Sequence, residues 1–289
     1  MKLKKVTVAI ALVYLLSMPV FAVDFIIGAK AGYYGWEPFL KEIDASGFSE
    51  IDVGVGALYG PVLSLLFTPD ISLSLAALTG VQSTHWKANY EPWEGEYLAG
   101  TYFFESRRTD VDTVLSYRLM QNLKAFLGYK YQYIDSELNY TEIRTDAARE
   151  ISEIIISNGE AETMSHGPAL GLGYSLPFGK GFFVAANLSG LYMAGEFKLK
   201  EKYSYGYYSG FNDYNIRLTD SKTIDIAQYG VNFEPAIGFS TGESGFIYTL
   251  GLRYQWLRTD FKDDFAPGEP LDDANDYLYG VFVSVLYTF

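Results

Sequence analysis

From residue 23 onward, large apolar and small or polar residues alternate along the chain in blocks separated by turn-forming residues. The clearest block runs from Ala227 to Ser240. Tyr229, Val231, Phe233, Pro235, Ile237 and Phe239 fall on one side of it, and Gln228, Gly230, Asn232, Glu234, Ala236, Gly238 and Ser240 on the other. The next block sets Phe246, Tyr248, Leu250, Leu252, Tyr254 and Trp256 against Thr249, Gly251, Arg253 and Gln255. A period of two marks a strand whose faces meet different surroundings. Soluble sandwiches alternate as well, but here the polar side is rich in Gly, Ser and Asn and suits a narrow interior. The other side carries bulky aromatics and aliphatics throughout, which is the lipid-out, polar-in distribution of a membrane-spanning barrel.

Ten such segments are expected, at about 24–35, 49–67, 71–84, 107–119, 122–135, 166–178, 182–195, 226–240, 245–258 and 278–289. Their connections alternate in length. Thr68-Pro69-Asp70, Met120-Gln121, Gly179-Lys180-Gly181 and the region of Gly242-Glu243 read as tight turns. Between them lie the longer stretches 36–48, 85–106, 136–165, 196–225 and 259–277, read as external loops. Turn length and side-chain direction agree. A three-residue turn at 179–181 pairs Phe178 with Phe182, Leu176 with Val184 and Tyr174 with Ala186, and a turn at 68–70 sets Leu65 opposite Leu73. A slip of one residue would reverse a whole strand. The expected fold is all-β, a transmembrane antiparallel up-and-down β-barrel of about ten strands, with eight or twelve as alternatives. Ala147 to Ser157 reads as a short helix or an added hairpin, and the hairpin would make twelve.

Lys2, Lys4 and Lys5 precede an apolar run from Val6 to Phe21, interrupted by Pro19, and Val20-Phe21-Ala22 offers small residues for cleavage. Residues 1–22 therefore read as an export signal and 23–289 as one barrel domain. At the other end Tyr279, Val281, Val283, Val285, Tyr287 and Phe289 alternate to the last residue. This strand resembles the terminal assembly signal of bacterial outer-membrane β-barrel proteins, although Ser284 stands where such signals often carry Gly. The resemblance implies an outer-membrane location, contact with outer-membrane lipid, and recognition of Tyr287 and Phe289 by the barrel insertion machinery.

The chain has no Cys, so it holds no disulfide, and its formal charge is −13. Losing the three signal lysines would take that to −16, which argues against nucleic acid as a partner. Side-chain direction places ten charges in the lumen: Lys30, Arg118, Lys124, Lys130 and Arg253 against Glu50, Asp52, Asp110, Asp112 and Glu234. Lys130 is expected to face Asp110 or Asp112, and Arg253 to lie opposite or diagonal to Glu234. These charges read as an ion-pair network filling a narrow barrel, or as the lining of a slender conduit. Ten strands exclude a general diffusion porin.

Ten strands with large loops also resemble, in architecture alone, the omptin surface proteases, which set acid pairs and a His beside an Asp around a water. Asp110-Val111-Asp112 is the candidate acid pair. The two histidines, His85 and His166, lie beside Thr84 and Trp86 and beside Ser165 and Gly167, and neither follows an Asp. No Gly-x-Ser-x-Gly elbow and no metal or cofactor motif is present. The acidic stretch 259–277 reads as a solvated loop, with divalent cations as a lesser alternative. Residues 201–215 hold five Tyr among Gly, Ser and Asn, a composition suited either to an external ligand or to extended strands. Two functions remain open: a surface or adhesin-like barrel acting through its loops, and a narrow channel for small solutes.

Overall fold

The computed structural model describes residues 24–39, 53–90, 96–146, 151–209, 212–242, 245–262 and 273–289. The expected signal segment, Glu50 and Asp52 lie outside the described residues. Ten strands form: β1 Asp24–Glu37, β2 Gly54–Leu66, β3 Ile71–Tyr90, β4 Glu96–Met120, β5 Leu123–Asp146, β6 Ile151–Phe178, β7 Phe182–Ser209, β8 Asn212–Ser240, β9 Gly245–Phe261 and β10 Ala274–Thr288. Every neighbour pairs antiparallel, and β1 closes on β10 with Ala29 opposite Val285, leaving one sealed barrel.

Register at the short-turn end is the one that side-chain direction requires. Phe178 faces Phe182, Leu176 faces Val184, Tyr174 faces Ala186 and Leu65 faces Leu73. Gly179 and Gly181 carry φ of 60° and 84°, a left-handed backbone that a side chain would strain. The Thr68 hydroxyl accepts hydrogen bonds from the Asp70 and Ile71 amides and folds the β2–β3 turn. The β4–β5 turn falls one residue later than expected, on Gln121-Asn122.

At the opposite end the strands run far beyond the expected boundaries. The stretches 85–106, 136–165 and 196–225 are mostly not loops but strand, since β3 continues to Tyr90, β4 starts at Glu96, β5 reaches Asp146, and β7 and β8 almost meet at Ser209 and Asn212. The described part of Ala147–Ser157 is neither helix nor extra hairpin, because Ile151 to Ser157 open β6. A membrane-crossing strand needs about 9–11 residues, whereas β7 has 28 and β8 has 29. The surplus forms a tall outer tier on β3 to β8.

These extensions look like loops in the sequence because the polarity of the two faces reverses along each strand. On β5 the outward residues change from Leu127, Tyr129 and Tyr131 to Asp135 and Glu137. The inward ones change from Lys130 and Gln132 to Ile134 and Leu138. On β7 the outward sequence passes from Leu188 and Tyr192 to Glu196 and Lys198, and the inward one ends in Phe197 and Leu199. Within lipid the apolar face must point out. Above it, in water, the apolar face must point in. Alternation persists, but the hydrophobic set moves to the other face.

The lumen as candidate functional site

Three levels stack along the lumen. Midway, eight charged side chains form an electroneutral layer. The carboxylate of Asp110, from the inward face of β4, is its hub. Its Oδ1 accepts from Arg108 Nε at 3.1 Å and Gln132 Nε2 at 3.2 Å, while its Oδ2 lies 3.3 Å from Lys130 Nζ and 3.4 Å from Arg253 Nη2. Lys130 also donates to Asp112 at 3.1 Å. Glu234 takes Lys30 at 2.9 Å and Arg253 at 3.4 Å. Arg253 further donates to Asn232 and Gln255. Arg108 Nη1 lies 3.9 Å from Asp276, whose other oxygen accepts from Trp36 Nε1 at 2.8 Å. Burial of so many charges is tolerable because each has a partner of opposite sign, and Asp110 and Arg253 make further hydrogen bonds besides.

Six of the ten expected luminal charges meet here: Lys30, Asp110, Asp112, Lys130, Glu234 and Arg253. Lys130 engages both expected acids, and Glu234 is shared between Arg253 and Lys30. Arg118 stands at the rim, half exposed, 3.9 Å from Asp70 of the β2–β3 turn. Lys124 faces the lumen below the layer and joins no ion pair among the described residues. Two members escaped the sequence reading. Arg108 shares the parity of Asp110 and Asp112 on one strand, a signal that was available. Asp276 was hidden because 259–277 read as loop, whereas β10 begins at Ala274 and buries Asp276.

Above the charged layer lies an apolar stopper. Tyr34, Trp36, Leu58, Phe104, Ile134, Leu138, Phe197, Ile224, Ile226 and Leu278 are buried together. Just beyond β1, Pro38 and Phe39 are buried, and the Phe39 ring crosses the lumen to Phe197 of β7 at 5.4 Å and Phe261 of β9 at 5.9 Å. The segment expected as the first external loop thus begins by plugging the barrel. Below the charged layer, the lumen widens into a cavity of about 350 Å³ toward the short turns.

Both histidines face outward. His85 packs on Phe103 with ring centroids 4.5 Å apart, and His166 Nδ1 meets the Tyr129 hydroxyl at 2.6 Å. Neither imidazole lies in the lumen beside Asp110 or Asp112. On the outer tier, Lys200 and Lys202 donate to Glu160 and hold its carboxyl below the usual range. Arg258 pairs with Asp273 and Lys262 with Asp260 at the edge of the acidic stretch, whose centre lies outside the described residues. The described part of the Tyr-rich stretch continues β7 and β8 up to Ser209 and Asn212, with Tyr207 opposite Tyr214. At the chain end, the Phe289 amide donates to Phe25 O, and the Phe289 ring packs edge-on against Tyr287.

The family model for the Legionella pneumophila major outer membrane protein precursor matches residues 104–234, from Phe104 in β4 to Glu234 in β8. No curated protein sequence matches the chain. Among solved structures, the chain resembles the outer membrane protease OmpT from Escherichia coli at TM-score 0.41 and 11% identity, covering 94% of this chain and 99% of that one. It also resembles a major outer membrane protein from Thermus thermophilus, at TM-score 0.32 and 12% identity over 93% and 100% of the two chains. Ail, the attachment invasion locus protein of Yersinia pestis, matches at TM-score 0.23 and 9% identity over 92% and 100%. The closed antiparallel ring, its apolar outer wall and the family match together identify a bacterial outer-membrane β-barrel protein.

Proposed function

We propose that this barrel is a non-conducting surface protein, whose working part is the tall outer tier and the hairpin tops it carries. The observation that carries this reading is the double closure of the lumen. A solute would have to pass an electroneutral layer centred on Asp110 and then the Phe39–Phe197–Phe261 stopper. A conduit gains nothing from a ring laid across its bore. An outer tier serves a surface protein, because it lifts the recognition hairpins on a rigid β scaffold. The Tyr-rich top of β7–β8 is the segment we assign to an external ligand. No catalytic role is proposed: the acids of the candidate pair are held in ion pairs, and both imidazoles point away from them.

Conductance in planar bilayers tests the closure. Wild-type protein is expected to be nearly silent, and Phe39→Ala with Phe197→Ala to leak more. Steady ion-selective conductance by wild type would favour the narrow channel instead.

A further inference from the structure

The cavity beneath the charged layer is built from the halves of the strands that adjoin the short turns, so it opens on the side opposite the outer tier. At about 350 Å³ it falls at the small end of ligand-pocket sizes. Its wall is largely apolar, with Val62, Phe126, Phe183, Phe282 and Leu286 among its lining residues. At its upper end Lys30, Lys130 and Arg253 are each matched by a carboxylate. Lys124, on the same wall and exposed to the cavity, is matched by none among the described residues.

Lys124 is also guided by its neighbours. Its row runs across three strands, Lys124 opposite Gly173 and Gly173 opposite Asn187. A Cβ on Gly173 would come within 2.5 Å of Lys124 Cε and 2.6 Å of Asn187 Oδ1. The missing side chain is therefore the slot through which the lysine stem crosses toward the Asn187 amide. A Lys stem laid along the wall leaves its ammonium in the cavity. The layer above is neutral, so this positive charge is not cancelled from there.

From this arrangement we infer that the cavity binds a small amphipathic carboxylate, entering from the short-turn side. Its carboxylate sits on Lys124 beside Asn187, and its ring or short chain lies against Phe126 and Phe183. The apolar wall selects against a bare inorganic anion, and the single cation selects against a neutral molecule of the same shape. This site goes beyond the surface role, because it lies at the other end of the barrel and needs no passage through the lumen.

The test uses the full barrel in lipid nanodiscs, with 3-phenylpropionate as probe and 3-phenylpropionamide and inorganic phosphate as comparators, read by ligand-observed NMR and isothermal titration. Saturable binding of the carboxylate is expected. Lys124→Gln should weaken it about tenfold, the size of one charge-assisted hydrogen bond, and leave the weak binding of the amide unchanged. Lys124→Arg should retain binding, and Gly173→Val, which displaces the lysine stem, should lose it. Equal binding by wild type and Lys124→Gln overturns the inference. So does phosphate binding as tightly as the carboxylate, or the absence of saturable binding to wild type. None of these readouts depends on conductance, so the surface reading stands or falls separately.

Discussion

Asp110 shows what a single side chain must do inside such a barrel. Four donors converge on its two oxygens, and three of them belong to cations, so neutralising it would leave Arg108, Lys130 and Arg253 with one charge too many. Breaking a buried ion pair costs about 3–5 kcal/mol, so Asp110→Asn should lower the urea midpoint for unfolding from bilayers by a corresponding amount. Asp70→Asn, which breaks the exposed pair with Arg118, should cost about 0–1 kcal/mol. Similar midpoints for the two variants would mean that water reaches and screens the layer. Glu234 and Arg253 should couple in a double-mutant cycle, but incompletely, because Glu234 keeps Lys30 and Arg253 keeps Asp110. Much of this network was legible from parity alone, since strand direction put Lys130 beside the two acids and Arg253 beside Glu234. The sharing was not legible. Contacts across the bore, such as Arg253 to Asp110, depend on the diameter and stagger of the closed wall, and no local spacing in the sequence encodes them.

At the scale of a strand, β5 separates two rules that agree in most proteins. Leu127 and Glu137 both point outward, ten residues apart on one strand. Arg at position 127 should cost roughly 2–4 kcal/mol if it lies near the midplane of the bilayer. Arg at 137 should fall within about 0.5 kcal/mol of wild type, as surface changes usually do. Leu138→Arg, on the inward face and buried in the stopper, should destabilise although it never meets lipid. If positions 127 and 137 tolerate Arg equally in a bilayer refolding titration, the reversal of polarity along the strand is wrong. The same reversal explains which boundaries could be read. Strand boundaries at the short turns were plain, because Pro69, Gly179 and Gly181 punctuate them and a uniform lipid-facing set adjoins them. Boundaries at the opposite end were not, since the apolar face gives way near Asp135, Glu162 and Glu196, where the chain continues unbroken as strand.

For the whole molecule, closure leaves no free edge within the lipid-spanning wall, and each strand there pairs with a neighbour on both sides. Unboiled protein in detergent should therefore migrate as a compact species and shift on boiling. A chain that runs identically before and after heating would contradict the sealed ring. The reversal of polarity has a consequence for the molecule as a floating body. Arg107 faces Asp135, Asp135 faces Glu162 and Glu162 faces Lys198, so charged residues of four strands form one continuous row around part of the outside. That row acts as a waterline. Sinking by two residues would drag it into hydrocarbon, and rising by two would lift Tyr133 and Met164, which face each other just below it, into water. The draught of the barrel is thus fixed by its own wall. From Glu196 to Ser209 the β7 strand then climbs on the order of 45 Å along its length, so the hairpin tops ride at a set height above the lipid, like a mast stepped in a hull.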